Sequence, residues 1–228
     1  MDINKYKYIK YKYKYLKYKQ KHLTRKTIIM TVPHSKCENE TENICDQTSL
    51  PIAERLKSKF ENKNFNVIFL PTNIHRVDCD VNRKNCGHTS ESNNKEYYNN
   101  FRSVVLDNPK AIHLDIHSYP NYDSFSLIDI NNYSTHQNRI MVLLSNKNNI
   151  RRSRHFRNHL NENQIGTTLL EGGENYLTNY SGAISGYNNP NNKLPFSILL
   201  EFYDKHNFTD NELDKIVSYF LSLKYDYN

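Results

Sequence analysis

Two histidines, a glutamate and a pair of arginines stand at or just past the ends of apolar runs in this chain, and together they can do hydrolytic chemistry. "VPHS" carries His34, and "HRVDCDVNR" carries Arg76, Asp78, Asp80, Asn82 and Arg83. "LDIHSYP" carries Asp115 and His117, and "LLEFYDK" carries Glu201. Hydrolysis assisted by zinc needs three nitrogen or oxygen protein ligands and an open fourth position. It also needs a carboxylate to move protons and a cation for the developing oxyanion. Singly these residues are ordinary: an acid at a strand end usually reaches water, and a lone histidine is more often structural than a ligand. Gathered at strand ends, they are a candidate site.

The elements that must position them alternate along the chain. Residues 27–32 ("TIIMTV") read as a strand running straight into "PHS". Residues 47–60 read as a helix, because Leu50, Ala53, Leu56 and Phe60 recur at helical spacing and Pro51 is tolerated in a first turn. Apolar runs with β-branched and aromatic members predict strands at 66–70, 111–116, 124–130, 140–145, 167–170 and 196–202. Helices are expected near 92–106, 152–162 and 209–224. Strands alternating with helices imply an α/β layered fold with a largely parallel sheet, in which sites gather beyond the carboxyl ends of strands. No internal repeat and no second domain is legible.

The formal charge of +7 is unevenly placed. Residues 1–26 hold nine Lys and one Arg against one Asp, whereas the remaining 202 residues hold 21 bases and 23 acids, a net of −2. The basicity belongs to a low-complexity Lys/Tyr tail, which has neither the continuous apolar segment nor the small-residue cleavage site of a secretory signal. Three readings of this tail compete. It is a disordered, solvated arm, or a weak binder of nucleic acid or another polyanion through Lys and Tyr, or an edge strand. An excess of Asn, Lys, Tyr and Ile along the whole chain fits an A/T-rich coding sequence and weakens any function for the tail. No run approaches the apolar length of a membrane span. The four cysteines, Cys37, Cys45, Cys79 and Cys86, fit no common zinc-finger spacing. Without a secretory signal they are expected as reduced thiols in an intracellular, cytoplasmic protein, with a Cys37–Cys45 bridge as the alternative.

In this order the four polar clusters resemble the zinc carboxypeptidase-like superfamily, and within it the amidohydrolases of N-acylated acidic amino acids. "VPHS" resembles the first motif of the N-formylglutamate amidohydrolases. "RVDCDVNR" is similar to the Arg…Asp-Cys-Asp-x-Asn-Arg segment of the aspartoacylases, with the first Arg one residue nearer. "DIHSYP" resembles the surroundings of the last zinc ligand of the carboxypeptidases, and "LLEFYDK" the strand that bears their general base. The likeness spans roughly residues 27–205. It implies a three-layer α/β/α sandwich with a mixed, largely parallel sheet, and a zinc-dependent catalytic domain over residues 27–228. It also implies that His34 and His117 are zinc ligands and that Glu201 is the general base. Arg83 with Asn82 would grip a substrate carboxylate, a task suited to the two-pronged guanidinium, and Arg76 would face the oxyanion. Asp78 and Asp80 either orient these arginines or are solvated. Asp115 either supports His117 or is a plain salt-bridge partner.

The second ligand departs from the superfamily, which usually has a glutamate three residues after the first histidine; here that place is Cys37, followed by Glu38. Asp46 is the favoured candidate. It leads into the helix after this loop, and Ser49 and Ala53 follow it at +3 and +7, as in the related poly-γ-glutamate hydrolases. Asp46 as a simple helix cap, Glu38 or Cys37 as the ligand, and a lost metal site stay open. Glu171 and Glu174 sit in a Gly-rich turn without a phosphate-loop Lys. Arg151, Arg152 and Arg154 read as a solvated helix face, and His75, His113, His155 and His159 have no spacing that demands metal. The expected activity is cleavage of an amide in an N-acyl acidic amino acid or small peptide with a nearby free carboxylate. A carboxypeptidase or γ-glutamyl peptidase using the same residues, and a binding protein on a decayed hydrolase domain, are the rivals.

Overall fold

A computed structural model of the chain describes residues 11–14, 25–37, 45–81, 91–119, 139–144, 150–170, 194 and 196–223. Six strands form one sheet: β1 (Thr27–Val32), β2 (Asn66–Pro71), β3 (Ile112–Tyr119), β4 (Ile140–Leu144), β5 (Thr167–Leu170) and β6 (Phe196–Tyr203). Among the described residues, apart from a single helical turn at 11–14, four helices accompany them: α1 (Ser49–Asn62), α2 (Glu91–Asp107), α3 (Ile150–Glu162) and α4 (Asp210–Ser222). The strand order is β2-β1-β3-β6-β4-β5, parallel throughout except where β4 meets β6. The fold is therefore mixed α/β, and each described element lies within a residue or three of its expected bounds. The strand expected at 124–130 lies outside the described residues.

Helices cover both faces. On one face Ile28, Met30, Val32, Ile112, Leu114, Ile116, Ile198 and Leu200 pack against Leu56 and Phe60 of α1, Phe156 and Leu160 of α3, and Ile216 and Phe220 of α4. On the other, Ile29 packs with Phe101 and Val105 of α2. The chain thus passes from β1 through α1 to β2 on one side of β1, then through α2 to β3 on its other side. That reversal makes the carboxyl ends of β1 and β3 a topological switch point, where an open α/β sheet leaves a crevice for a ligand.

Strand β3 is buried over its whole length, yet from 112 to 117 only its even positions, Ile112, Leu114 and Ile116, are apolar. Its odd positions, His113, Asp115 and His117, turn towards the α2 face, since side chains alternate along a strand. Register fixes their neighbours: Thr31 lies beside Asp115, Ser197 beside His113, and Glu201 beside His117. Polar groups buried here must find partners inside the protein.

The N-terminal tail enters the fold at Lys26, whose Nζ donates to the carbonyls of Phe220, Leu221 and Leu223 at 3.1, 3.2 and 2.6 Å. A cation there satisfies carbonyls left unpaired at the end of α4. At the other end of α4, Thr209 and Glu212 form a reciprocal capping box.

Candidate metal centre

The site assembles at the switch point from three loops and two strand ends. His34 follows β1 by one turn, and the Ser35 hydroxyl pins that turn by donating to Thr72 O at 2.9 Å and accepting from Thr72 N at 3.0 Å. Asp46 precedes α1, and its carbonyl accepts from the backbone N–H and hydroxyl of Ser49 at 3.2 and 2.8 Å. The +3 serine therefore locks the aspartate's backbone, and Ala53 at +7 is fully buried one turn further on. Thr48 ties the same helix start to the ends of β3 and β6. Its N–H reaches Ser118 Oγ at 3.3 Å, and its hydroxyl donates to Asp204 Oδ1 at 2.6 Å.

The Asp46 side chain does not cap α1, whose N-cap residue is Thr48. Its Oδ2 lies 3.2 Å from His34 Nδ1, 2.8 Å from His117 Nδ1 and 3.3 Å from Ser118 N. One ligand atom from each of His34, Asp46 and His117 falls within 4.8 Å of the others, and all three residues are buried. The two imidazoles meet edge to face, with centroids 4.9 Å apart. Two imidazole nitrogens and one carboxylate oxygen converging on a point form a donor set that suits zinc. The far nitrogens are held as well: His34 Nε2 is 2.9 Å from Asp80 Oδ1, and His117 Nε2 is 3.4 Å from Asp115 Oδ2. Carboxylates placed behind ligating histidines fix ring orientation and raise basicity.

Electrostatics follow from this packing. Burial disfavours the charge on Asp46, but His34 and His117 outweigh it and hold the carboxyl far below the usual range. Burial likewise opposes the charge on His117. The Asp115 and Asp46 carboxylates win, and raise its pKa well above the ordinary histidine value. His34 is raised for the same reason by Asp46 and Asp80. Asp115 is held down to about 2, against its burial, chiefly by His117. Glu201 goes the other way: burial, reinforced by the Asp46 charge, pushes it up to about 7 against the pull of His117, His34 and Arg76. A carboxyl near neutrality can both accept and return a proton.

Arg76 reaches the same cluster from the loop after β2. Its Nε lies 3.3 Å from Asp80 Oδ2 and its Nη1 lies 3.7 Å from Asp46 Oδ1, with the side chain 29% exposed. Asp80 thus bridges the arginine and His34, which joins two roles that the sequence left apart. A polar cleft of about 690 Å³ opens alongside, lined by Lys36, Thr72, Asn73, His75, Asp78 and Tyr97 among others.

Among the expected site residues, His34, Asp46, Arg76, His117 and Glu201 come together. Asn82, Arg83, Glu38, Glu171 and Glu174 lie outside the described residues. Cys37 is excluded as a thiolate ligand, because it forms a disulfide with Cys45, and Cys79 is disulfide-bonded too. The expectation of reduced thiols is corrected on this point: Cys37 and Cys45 have Cα atoms 5.4 Å apart, within the range a disulfide spans. No helix is long and apolar enough to cross a membrane among the described residues. The residues that sequence reasoning passed over are Thr31, His113 and Ser197, which form a buried polar seam beneath the site.

No family model matches the chain, and no curated protein matches it in sequence. In structure it is similar to a gene product of Agrobacterium tumefaciens, with a TM-score of 0.59, 10% identity and 86% of each chain covered. It is also similar to the catalytic domain of the CD27L endolysin, which targets Clostridia difficile, with a TM-score of 0.45, 12% identity, and 86% of this chain and 95% of that one covered. A protein of Shewanella denitrificans assigned as a carboxypeptidase A gives a TM-score of 0.45 and 10% identity over 86% of this chain and 55% of that one. The first likeness is one of fold; the other two are too loose to bear on function.

Proposed function

We propose that this chain is a zinc-dependent amidohydrolase with a zinc carboxypeptidase-like fold, cleaving the amide of an N-acyl acidic amino acid or small peptide that bears a free carboxylate. One observation carries the reading: the Nδ1 atoms of His34 and His117 flank the Asp46 carboxylate, and Glu201 sits in register beside His117. His34, Asp46 and His117 would hold the ion. When bound there, zinc supplies a Lewis acid for the amide carbonyl and brings the pKa of a water towards neutrality.

The chain's own residues do the rest. Glu201 takes a proton from the attacking water and returns it to the departing nitrogen, a task its raised pKa suits. Arg76, paired on one edge with Asp80 and partly exposed, offers guanidinium N–H groups to the oxyanion. Arg83 with Asn82 is given the substrate carboxylate, on the strength of the motif that contains them. The test is metal analysis of the purified protein, followed by a screen of formyl-, acetyl- and γ-glutamyl-linked glutamate and aspartate. About one zinc per chain and release of the free amino acid from one of these classes is the expected result. A protein without stoichiometric zinc that is inactive on all of them would overturn it.

A further inference from the structure

We propose that Thr31, His113 and Ser197 form a one-way hydrogen-bond relay that sets which nitrogen of His117 is offered to the metal. The inference rests on the metal-site reading above and concerns residues that reading does not use. It follows from counting protons. Asp115, a carboxylate, only accepts, and its Oδ1 lies 2.6 Å from Thr31 Oγ1. The single hydroxyl proton of Thr31 therefore points at Asp115. Thr31 Oγ1 also lies 2.8 Å from His113 Nε2, and since its own proton is committed, it must accept there. His113 thus carries its proton on Nε2. Its Nδ1, 2.8 Å from Ser197 Oγ, accepts from the serine if the ring is neutral.

The ring is neutral because it is fully buried: burial lowers His113 to about 4, and Phe101 covers it with centroids 4.8 Å apart. The order is then Ser197 to His113 to Thr31 to Asp115. With Oδ1 occupied by Thr31, Asp115 keeps Oδ2 turned to His117 Nε2 at 3.4 Å. A carboxylate there holds the His117 proton on Nε2 and leaves Nδ1, beside Asp46, as the nitrogen that can ligate. Three neighbouring strands, β1, β3 and β6, each supply a member, so the sheet register itself transmits the orientation. Thr31, His113 and Ser197 are positioning residues; none touches the reacting atoms.

The test uses the full-length protein and zinc alone. Zinc affinity is measured by competition with a chromogenic chelator, and histidine tautomers are read from long-range ¹H–¹⁵N spectra of the zinc-loaded protein. In the wild type, His117 should show Nε2–H with zinc on Nδ1, and His113 should be a neutral Nε2–H tautomer. Thr31→Val removes the shared oxygen and should weaken zinc about 10- to 100-fold, the usual effect of losing support behind a ligating histidine. Thr31→Ser, which keeps the hydroxyl, should restore it, and Ser197→Ala should weaken zinc by less than Thr31→Val. Zinc on Nε2 of His117 in the wild type overturns the relay even if no variant folds. So does Thr31→Val with wild-type affinity and an unchanged His117 signal. A wild type that binds no zinc overturns the metal-site reading and the relay with it, which separates the two failures.

Discussion

Strand β3 presents two faces that are equally buried and chemically opposite. Ile112, Leu114 and Ile116 project into the cluster formed with α1, α3 and α4, while His113, Asp115 and His117 project towards α2 and the switch point. The apolar face is held by area removed from water, a non-directional force that tolerates some repacking. The polar face is held by a chain of hydrogen bonds, each of which fixes the direction of the next. Burying such groups is unfavourable unless every one is partnered, so this face contributes little to stability and much to geometry. The difference teaches where to look for function in a fully buried strand: on the face that folding alone does not require.

Five substitutions sharpen or break that contrast. The largest effect belongs to the ligands. His34→Ala or His117→Ala should abolish stoichiometric zinc, read by metal analysis after dialysis; full occupancy in either variant would remove the ligand assignment. The same measurement has a pH sign. His117 is raised well above the ordinary value in the zinc-free chain, so a proton must leave for zinc to bind. Zinc affinity should therefore climb as pH rises through and beyond neutrality, and fall steeply on acidification.

Next comes Glu201→Gln, which keeps the size of the side chain but cannot take up the proton. Turnover on a confirmed substrate should drop about 10²- to 10⁴-fold, with zinc content and substrate affinity almost unchanged. Wild-type turnover in this variant would reduce Glu201 to an ordinary strand-end acid. On the opposite face, Leu114→Ala should cost about 2–5 kcal/mol in denaturant unfolding, because Leu114 is fully buried in the larger cluster. Zinc affinity of the folded fraction should stay as it was. Weakened zinc binding at retained fold would show that the two faces are coupled, and the contrast drawn above would be too sharp.

The smallest effect lies at the start of α4, a polar feature on the apolar side. Burial opposes the charge on Glu212, yet the Thr209 N–H and hydroxyl, and His206, hold its pKa down to about 2. The folded value lies below the unfolded one, near 4.5, so this group adds stability above that pH. The contribution disappears as pH falls from about 4.5 towards 2. Glu212→Gln should lower stability at neutral pH by roughly 1 kcal/mol, as for other lost caps, and flatten that acid limb in a urea titration. Zinc binding should not respond.

Much of this was legible in the chain. The alternation of elements predicts the α/β sheet, because each apolar run has the length and composition of its element. His34, His117 and Glu201 stand out by type and by place at strand ends. Asp46 stands out because it leads into α1 and because Ser49 and Ala53 follow it at the spacing that the resemblance to the poly-γ-glutamate hydrolases implies. The polar seam was readable in principle: His113, Asp115 and His117 alternate within a run that the even positions mark as a buried strand. A histidine that serves another histidine has no metal-ligand spacing to mark it. Thr31 and Ser197 carry no local signal at all. Their importance exists only once register sets β1 and β6 on either side of β3, and register is a property of the sheet. The dual role of Asp80, and the closeness of Cys37 to Cys45, depend in the same way on how loops settle.

That disulfide has a consequence for the chain before it folds. Twelve residues of sequence separate His34 from Asp46, but the bridge, which joins residues eight apart, replaces most of that length. With it closed, only the three steps from His34 to Cys37 and the one from Cys45 to Asp46 separate these two candidate ligands outside the bridge. Cross-linking so short a loop removes roughly 2.5 kcal/mol of conformational freedom from the unfolded ensemble, by the chain-entropy account. An oxidised unfolded chain therefore keeps two of the three candidate donors at a high effective concentration, as a short tether does for any linked pair. What remains for the sheet is to deliver His117 from more than seventy residues away, a long-range contact whose loop closure must be met before it brings any gain.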